Sequence, residues 1–596
     1  MTLQPSADSS IAPNPVGICR RTTLRRNARL LVVVLASACA SVTQASGQGL
    51  IADTQPTTIH GTVVNSVTHA PISRALVYSA DNRFAILSDG EGHFEFTLSK
   101  ADNDVGGTFF SGQPHQMWPV GGTRNPVWLM ARKPGFLDDP NERGHAEAAP
   151  NSDNTISLMP EALIKGRVVV AEADPPSGIN VQIYSRQVQD GMPRWVHAGS
   201  VRTNSEGEFR FAELQPGTYK VLTNEWMDND PVTTVPGGQL YGFPPVFYPG
   251  VSDFGSAGTI PLTAGQSVQI DLPLTRQPYY PVSIPVANSD QNGGMNITVS
   301  VQGHRGPGYS LGYNAGEQAI EGTLPNGNYL VEATSYRQPS FSGAVHLTVA
   351  GATATGPSMT LIRSSSAEVR VTEEFTSTES HSSMMTWSTP ERSFEVHGPR
   401  AYLLPQLVKD DDFAQQPIAF PRPPTGQNDD SLAIDNLSPG KYWLRVNSNR
   451  GYVASATMGA TDLLHQPLVV AAGSTTPIDI KVRDDFAEID GTVTGITTGS
   501  ILAPGTPGSP IFLYCVPLSD GPGQFQELGA SAPDGKFTQE RMTPGTYRIL
   551  AFRDAQPRLP YRDAEAMKAY ESLGTVVHLS PGQKTTVQVP IIVSSE

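Results

Sequence analysis

A short motif recurs four times along this chain: an apolar residue, a glycine three positions later and a tyrosine two positions after that. The copies are Leu214/Gly217/Tyr219, Leu324/Gly327/Tyr329, Leu437/Gly440/Tyr442 and Met542/Gly545/Tyr547. Their tyrosines are 110, 113 and 105 residues apart. This spacing is too long for a solenoid repeat and matches one small domain. The motif therefore predicts a series of similar small domains.

The motif also predicts a local structure. Three copies carry proline directly before the glycine, at Pro216, Pro439 and Pro544. Proline fixes φ at the second position of a turn and glycine tolerates the positive φ that follows, so a type II turn is expected. The apolar residue and the tyrosine then enter the core from neighbouring strands, and the tyrosines are expected to be buried.

Composition favours strands over helices. The 596 residues include 56 glycines and 51 prolines, as expected for many short strands joined by turns. A chain of this length needs several domains. A helical period is found only around residues 562–572. We therefore predict an all-β protein with five tandem antiparallel β-sandwich domains of the immunoglobulin or transthyretin-like type, preceded by a signal peptide.

The signal peptide is predicted to span residues 1–45. Five arginines between positions 20 and 29 precede the apolar run Leu30–Ala36, and small residues follow. That run is too short to span a membrane. Cys39 permits a lipid anchor, but Ala36 stands where a leucine usually precedes a lipidated cysteine, which disfavours one. The mature chain is expected to be periplasmic, on the outer surface or secreted, without a transmembrane segment.

The charge of the mature chain limits its partners. Without residues 1–45, 36 basic and 55 acidic residues remain, a net charge of −19. Nucleic acids and anionic membranes require a basic face, so neither is an expected partner. Cys515 is then the single remaining cysteine, which excludes an intrachain disulfide. Its apolar, strand-like surroundings predict a buried and unreactive thiol.

Strand and turn motifs divide the mature chain into five predicted modules. Modules 1, 2 and 5 open on a Gly-x-Val strand, at Gly61, Gly166 and Gly491, and continue with a Gly-x-Phe turn that ends at Phe94, Phe209 and Phe537. Joined end to end, five modules would reach well over about 100 Å, given typical strand lengths. The predicted ranges are 57–161 for module 1, 162–275 for module 2, 276–362 for module 3, 363–483 for module 4 and 484–596 for module 5.

These motifs together resemble the carboxypeptidase regulatory-like module. The resemblance is clearest in residues 57–100, 162–225 and 487–552, where the Gly-x-Val, Gly-x-Phe and Leu-x-Pro-Gly-x-Tyr patterns occur in order. It implies an antiparallel sandwich of transthyretin-like type, grouped with carbohydrate-binding-like folds, and no peptidase activity in the module itself. A fold does not define a function, so the site must be sought in the residues.

No catalytic constellation stands out in the sequence. The histidines are scattered singly and never form the His-Glu-x-x-His pattern of a zinc peptidase. The segment Gly250–Phe254 lacks the last glycine of a nucleophile elbow. Carboxylates cluster at 409–412 and 428–430, but without the alternate spacing of a calcium loop, so solvated turns are favoured. We predict a protein that is not an enzyme and holds no metal or cofactor.

The strongest candidate for a binding surface is an aromatic insertion at residues 224–258. Aromatic side chains on a proline-stiffened loop suit stacking against sugar rings or a partner surface. The alternative is that the loop folds back and packs these rings on its own sandwich. The predicted ligand contacts are Trp226, Tyr241, Phe243, Phe247 and Tyr248.

Three functional hypotheses follow. The favoured one is a non-enzymatic, exported scaffold or adhesion protein of the cell envelope that binds other proteins. The second is polysaccharide binding through the aromatic insertion, and the third is an accessory subunit of an envelope enzyme. The expected partner is therefore an envelope protein or a polysaccharide.

Overall fold

The structure is a computed structural model in which the chain divides into two compact units, residues 1–55 and 56–596. The predicted signal peptide and Cys39 lie outside the described residues. The described residues all belong to the second unit: 57–79, 84–98, 128–138, 146–147, 153–171, 177–228, 238–287, 293–301, 306–336, 340–376, 384–388, 393–410, 413, 418–471, 477–495, 511–518, 522–528, 535–553, 556 and 558–592.

Module 1 forms two facing sheets, ordered β4-β1-β8-β6 and β3-β2-β5-β7. Their shared core includes Ile59, Val77 and Leu129. The strands are β1 (Thr57–Asn65), β2 (Leu76–Ser79), β3 (Ala85–Leu87), β4 (His93–Leu98), β5 (Trp128–Arg132), β6 (Phe136–Asp138), β7 (Ala146–Glu147) and β8 (Asp153–Pro160).

Module 2 has sheets ordered β11-β10-β13-β16 and β12-β9-β17, while β14 and β15 pair with module 3 instead. Its core includes Ile164, Val181 and Leu272. The strands are β9 (Ala162–Val170), β10 (Asn180–Gln189), β11 (Met192–Arg202), β12 (Glu208–Leu214), β13 (Gly217–Thr223), β14 (Trp226–Met227), β15 (Leu240–Phe243), β16 (Ile260–Leu262) and β17 (Ser267–Leu274).

Module 3 packs the sheet β14-β15-β18-β21-β20 against the sheet β19-β22-β23-β26, with β24 and β25 paired to β18. Its core includes Ile284, Ile320 and Val331. The strands are β18 (Gln277–Ala287), β19 (Met295–Val301), β20 (Gly312–Asn314), β21 (Ala319–Pro325), β22 (Gly327–Ser335), β23 (Phe341–Val349), β24 (Ala354–Thr355), β25 (Met359–Thr360) and β26 (Ile362–Arg363).

Module 4 has sheets β32-β27-β37-β34-β35 and β31-β30-β33-β36, and a separate hairpin of β28 and β29. Its core includes Leu407, Ile434 and Ile480. The elements are β27 (Ser365–Glu374), β28 (Met384–Ser388), β29 (Ser393–His397), helix α1 (Pro399–Tyr402), β30 (Leu403–Lys409), β31 (Ile418–Ala419), β32 (Leu432–Leu437), β33 (Gly440–Ser448), β34 (Tyr452–Met458), β35 (Thr461–Asp462), β36 (Leu468–Val470) and β37 (Ile478–Arg483).

Module 5 closes its strands into one sheet, β40-β39-β42-β44-β38-β41, with β43 beside β42. The helical pattern around 562–572 corresponds to a short helix and a 3-10 turn. The elements are β38 (Ala487–Thr494), β39 (Phe512–Pro517), β40 (Gln526–Leu528), β41 (Lys536–Met542), β42 (Gly545–Phe552), helix α2 (Ala564–Met567), the 3-10 helix Lys568–Tyr570, β43 (Thr575–Leu579) and β44 (Lys584–Ile592).

One pairing scheme recurs between modules. In modules 1, 2 and 5 the first strand pairs antiparallel with the strand of the Gly-x-Phe motif, and in module 4 it pairs antiparallel with β32. In all four modules the first strand also pairs parallel with the last strand, as β1 does with β8. The equivalent parallel pairs are β9 with β17, β27 with β37 and β38 with β44. The all-β sandwich fold predicted from the sequence is confirmed. The five module boundaries stay a prediction.

The repeated tyrosine has one structural role in all four copies. Each tyrosine is buried, and its hydroxyl donates a hydrogen bond to the carbonyl four residues earlier. The ring also folds back towards the glycine of its own motif. At Gly327 a Cβ would lie 2.9 Å from the tyrosine oxygen, while at the other three glycines it would make ordinary van der Waals contact with the ring. The bonds run from Tyr219 to Gln215 at 2.6 Å, Tyr329 to Pro325 at 2.9 Å, Tyr442 to Ser438 at 2.8 Å and Tyr547 to Thr543 at 2.7 Å.

The expected type II turn is wrong. Its glycine would have φ near about +80°, whereas φ is 153° at both Gly440 and Gly545, which open the next strand. The left-handed position lies earlier, directly before the apolar residue, with φ of 57° at Glu213, 63° at Asn436 and 63° at Arg541. The strand register shifts at each of these points. A β-bulge that contains a left-handed residue therefore turns the chain at these three points.

The modules do not form an end-to-end row, contrary to the expectation. The β10–β11 hairpin of module 2 extends beyond its sheet, because only Val181–Ser185 of β10 pairs with β13. Its tip is a two-residue turn at Asp190 and Gly191, with φ of 53° and 71°. Asp190 forms an ion pair with Arg445 of module 4. The Gly191 carbonyl accepts a hydrogen bond from the Arg562 amide of module 5 at 3.0 Å.

Two further contacts fix the same arrangement. Arg558 of module 5 donates from Nη2 to Oε1 of Gln215 at 2.8 Å. Arg194 of module 2 donates from Nη1 to the carbonyl of Lys409 in module 4 at 3.3 Å. Modules 2, 4 and 5 therefore contact one another, and module 3 is joined to module 2 through a shared sheet. We call the contacts around the hairpin tip the hairpin clamp.

Candidate functional site

The predicted aromatic insertion divides into buried and half-buried rings. Phe243 is 7% exposed and belongs to the module 2 core, and Phe247 is 3% exposed in a second cluster. Trp226, Tyr241 and Tyr248 are half-buried. For Phe243 and Phe247, the structure matches the alternative in which the loop packs on its own sandwich. Contact of these five residues with a ligand stays a prediction.

The insertion also connects two modules. Its strands β14 and β15 pair with each other, and β15 pairs with β18 of module 3. The guanidinium of Arg276 lies 3.9 Å from the centre of the Tyr241 ring, and its Nε donates to Oδ2 of Asp228 at 2.8 Å. A cation thus already occupies one face of this ring. The insertion has a structural function in addition to any ligand role.

A second aromatic cluster anchors module 4. Phe254 of the insertion lies 5.8 Å from Trp195, and Phe413 of module 4 lies 4.7 Å from Phe254 between ring centres. The buried ammonium of Lys220 donates to the Phe254 carbonyl at 2.7 Å and lies 5.0 Å from the centre of the Trp195 ring. Buried aromatic contacts of this kind supply much of the energy that joins two surfaces.

The other chemical candidates are satisfied locally. Cys515 is fully buried, and burial raises the pKa of its thiol to about 12, so the described structure agrees with a buried thiol. Asp429 accepts hydrogen bonds from Thr425 and Ser431, which lower the pKa of its carboxyl. Asp430 accepts from the His397 amide at 2.6 Å. Asp411 and Asp412 lie outside the described residues.

The described part of the chain shows neither a cluster of metal ligands nor a membrane-spanning helix. Within the described ranges, no three His, Cys, Asp or Glu side chains come together in the way a metal ion requires. None of the helices in those ranges has the length and apolarity of a membrane-spanning helix. The absence of metal and cofactor stays a prediction.

A large cleft lies between modules 2, 3 and 4, with a volume of about 1730 Å³. Its floor is the outer face of β19, β22 and β23. Ile297, Val299 and Val331 pack in the module 3 core, so their neighbours along the strands point into the cleft, because side chains alternate between faces. We call these neighbours the polar ladder. Its two cross-strand rows are Asn296–Thr334–Ser342 and Thr298–Glu332–Ala344.

The aromatic side chains that line this cleft include Tyr336, Phe420 and Trp387. Tyr336, at the end of β22, is 70% exposed, and Phe420 of module 4 is 52% exposed. Trp387 belongs to the β28–β29 hairpin and is half-buried. Exposed Ile362, Met385 and Leu404 also line the cleft. Large exposed apolar groups around a polar floor are typical of a binding surface.

Backbone hydrogen bonds lie at or near two of these rings. The Tyr336 amide donates to the Gly294 carbonyl at 3.0 Å, and a Cβ at Gly294 would lie 3.0 Å from Cδ2 of the tyrosine ring. Phe420 precedes Pro421, whose successor Arg422 donates its amide to the Ala433 carbonyl at 2.8 Å. The backbone is therefore hydrogen-bonded at Tyr336 and two residues after Phe420.

Sequence reasoning missed the cleft because its rings come from separate segments. Only Phe420 carried a signal, in the sequence Phe-Pro-Arg-Pro-Pro at 420–424, which has the proline–aromatic composition that singled out the insertion. Tyr336 and Trp387 follow no motif that distinguishes them from core aromatics. Their relationship depends on the packing of modules 3 and 4.

The fold defines a multi-module all-β protein. No family model matches the chain, so the resemblance to the carboxypeptidase regulatory-like module stays a prediction. None of the curated proteins matches it either.

Several solved structures are similar at low identity. The full-length RrgB pilus protein of Streptococcus pneumoniae is 9% identical, with a TM-score of 0.14, over 73% of this chain and 98% of that chain. The Bacillus anthracis TIE protein is 10% identical, with a TM-score of 0.14, over 72% and 68%. BcpA, the major pilin subunit of Bacillus cereus, is 9% identical, with a TM-score of 0.14, over 54% and 99%. Similarities this weak carry no argument about function.

Proposed function

We propose that the chain is a non-enzymatic, exported protein of five β-sandwich modules that acts as a scaffold or adhesion protein of the cell envelope and binds other proteins. The observation that carries the proposal is the hairpin clamp. It joins modules 2, 4 and 5 through an ion pair, a backbone hydrogen bond and ring contacts. Such a body holds several module surfaces at fixed distances, as a scaffold requires.

The residues of the hairpin clamp are closely packed against one another. The ring of Tyr561 lies so near Gly191 that a Cβ there would be 2.6 Å from Cδ1 of the tyrosine. Tyr561 itself stacks on Phe525, with ring centres 4.0 Å apart and an interplanar angle of 3°. Arg562 lies over the ring of Trp443 at 5.2 Å. Packed rings and a glycine contact favour one relative position of the modules.

Export and partner binding are tested in the cell of origin. A tagged full chain is expected in the envelope fraction or the medium, shortened by the mass of the leader. Photo-crosslinking there, followed by mass spectrometry, is expected to identify the same envelope protein in independent preparations. A chain that stays uncleaved in the cytoplasm would contradict the proposal, as would hydrolysis of generic peptide or glycoside substrates by the purified protein.

A matched pair of variants links partner binding to the clamp. Asp190→Arg places like charges at the Arg445 contact and is expected to abolish the crosslink. Asp190→Arg combined with Arg445→Asp reverses the pair and is expected to restore it. Equal crosslinking by all three proteins would show that the fixed arrangement of modules is not what the partner recognises.

A further inference from the structure

We propose that the cleft between modules 2, 3 and 4 binds a neutral oligosaccharide several sugar units long. This would be a second activity, at a place different from the aromatic insertion. It does not depend on the protein-binding role proposed above. Three observations support it: the size of the cleft, the polar ladder on its floor, in which Glu332 is the one charged residue, and the exposed rings on its border.

The size of the cleft favours an extended ligand. Pockets for single small molecules enclose roughly 300–1,000 Å³, whereas this cleft encloses about 1730 Å³. The floor crosses three adjacent strands, β19, β22 and β23, which lie about 4.8 Å apart in a sheet. A linear polymer of several units fits such a floor better than a single compact molecule does.

The polar ladder matches the hydroxyl groups of sugars. Asn296, Thr298, Thr334 and Ser342 present an amide and three hydroxyls, each of which both donates and accepts hydrogen bonds. Sugar hydroxyls have the same dual capacity, so each can pair with such a group without a charge. These partners stand on paired strands, which keeps their positions fixed before a ligand arrives.

The charged groups of the cleft are largely engaged within the protein. Arg400 donates to the carbonyls of Ser431 and Arg422, and Ser366 donates to Oδ1 of Asp435 at 2.5 Å. Arg422 donates from Nη2 to the Ser431 hydroxyl at 3.0 Å. On the polar ladder, Glu332 is the one charged residue. An ionic ligand would therefore have to compete with internal bonds, so a neutral one is favoured.

The exposed rings match the apolar faces of sugars. One face of a pyranose ring carries mainly C–H groups, and covering it with an aromatic ring removes apolar surface from water. Tyr336 and Phe420 are exposed enough to offer such a face. Trp387 adds a third ring from the β28–β29 hairpin. The rings on the border can contact the apolar faces of a sugar chain, and the hydroxyls on the floor can hydrogen-bond its hydroxyl groups.

A peptide fits this cleft less well. An extended peptide is usually captured by pairing with a sheet edge, but β22 at the centre of the floor is already paired on both sides. A proline-rich peptide could use the rings, yet it has no hydroxyls for the polar ladder. It is therefore the comparison ligand in the test.

The test is isothermal titration of the purified full chain with a fixed set of probes. The neutral probes are hexasaccharides of β-1,4-glucose, β-1,4-mannose, β-1,4-xylose and α-1,4-glucose. The comparison probes are an acidic hexagalacturonate and a decaproline peptide. At least one neutral hexasaccharide is expected to bind and to quench tryptophan fluorescence. Binding of none of the four, or tighter binding of a comparison probe than of all four, overturns the proposal.

Variants then locate the site. Tyr336→Ala and Phe420→Ala are each expected to weaken binding about tenfold, the loss of one stacked ring. Thr334→Val keeps the shape of the side chain, removes one hydroxyl of the polar ladder and is expected to weaken binding severalfold. Val576→Ala, an exposed apolar residue of module 5, is the control and should bind as the parent does. Melting curves confirm that the variants are folded.

Variants in the aromatic insertion test whether the sugar binds there instead of in the cleft. Trp226→Ala and Tyr248→Ala lie outside the cleft lining, so they are expected to leave hexasaccharide binding unchanged. If these two variants lose binding while Tyr336→Ala, Phe420→Ala and Thr334→Val keep it, the sugar site is in the insertion and the proposal for the cleft is wrong.

Discussion

The ring of Phe209 covers Gly166 on the neighbouring strand. The two residues are directly opposite in the β9–β12 pairing, and a Cβ at Gly166 would lie 2.1 Å from Cζ of the phenylalanine. The same relationship joins Gly61 to Phe94 and Gly491 to Phe537. The two sequence motifs that define the modules are thus the two halves of one contact, because the glycine leaves the space that the ring fills.

We predict that Gly166→Ala destabilises module 2 by about 1–3 kcal/mol, the usual cost of overpacking a core. The control is Gly426→Ala, since nothing lies within 4 Å of a Cβ there, and its effect should stay within about 0.5 kcal/mol. Chemical denaturation followed by tryptophan fluorescence measures both. Equal midpoints for the two variants would show that the ring moves aside without cost.

The tyrosine motif predicts a second difference between matched variants. Tyr442→Phe removes the hydrogen bond to the Ser438 carbonyl and should cost about 1–2 kcal/mol, since the carbonyl loses its partner. Tyr279→Phe is the comparison: among the described residues no group hydrogen-bonds the buried Tyr279 hydroxyl, so its removal should be neutral or stabilising. Thermal denaturation distinguishes the two. A larger loss for Tyr279→Phe would contradict the role given to the motif.

Local patterns in the sequence predicted what is local in the structure. The Gly-x-Phe positions, the buried tyrosines and the helical segment near 562–572 are each set by neighbours within a few residues or by strand alternation. The type II turn was wrong because proline and glycine mark a turn without fixing its type. A bulge one residue before the apolar position, at Glu213, Asn436 and Arg541, supplies the bend instead.

The arrangement of modules could not be predicted in the same way. Asp190 and Arg445 meet across 255 residues of chain, and a single charged residue at a hairpin tip is no different in sequence from a solvated one. The cleft is formed by that arrangement of modules, so the residues at its border could not be predicted from the sequence either. Tyr336 and Trp387 become a pair of rings around one space only when modules 3 and 4 are in place.

The hairpin clamp predicts coupling between distant residues. A double-mutant cycle of unfolding free energies uses Asp190→Asn, Arg445→Met and the double variant. The expected coupling energy is about 1 kcal/mol, as for a half-buried ion pair. The exposed pair Arg370–Glu368 is the control and should show no measurable coupling. Small-angle scattering should also give a larger radius of gyration for Arg445→Met. Zero coupling and an unchanged radius would show that the ion pair does not hold the modules.

The Cys515 thiol is predicted to be unreactive in the folded protein. Burial raises its pKa to about 12, so little thiolate exists at pH 8, and the side chain is fully covered. A Cys19→Ser/Cys39→Ser variant leaves this thiol alone. A disulfide reagent at pH 8 should label it only after denaturation. Stoichiometric labelling of the native protein within minutes would contradict the described burial.

A half-buried carboxyl at the junction of modules 2 and 3 predicts a dependence of stability on pH. Burial raises the pKa of Glu225, and hydrogen bonds from the Ser310 amide at 2.9 Å and hydroxyl at 2.8 Å oppose that rise only in part. The folded protein therefore binds the proton more tightly than the unfolded chain, whose glutamate titrates near about pH 4.3. As the pH rises from that value through the folded pKa, Glu225 lowers the free energy of unfolding.

Glu225→Gln should remove this decrease in the free energy of unfolding, because the amide carries no charge and its oxygen still accepts both hydrogen bonds from Ser310. We expect the variant to be more stable than the parent at pH 7 and equally stable at pH 3, where both side chains are neutral. Denaturation curves across this range measure the difference. Ser310→Ala is the opposing control: it removes a donor to the charged form, so it should destabilise the protein more at pH 7 than at pH 3. A Glu225→Gln variant that is less stable at pH 7 would show that the carboxylate is favoured in the fold.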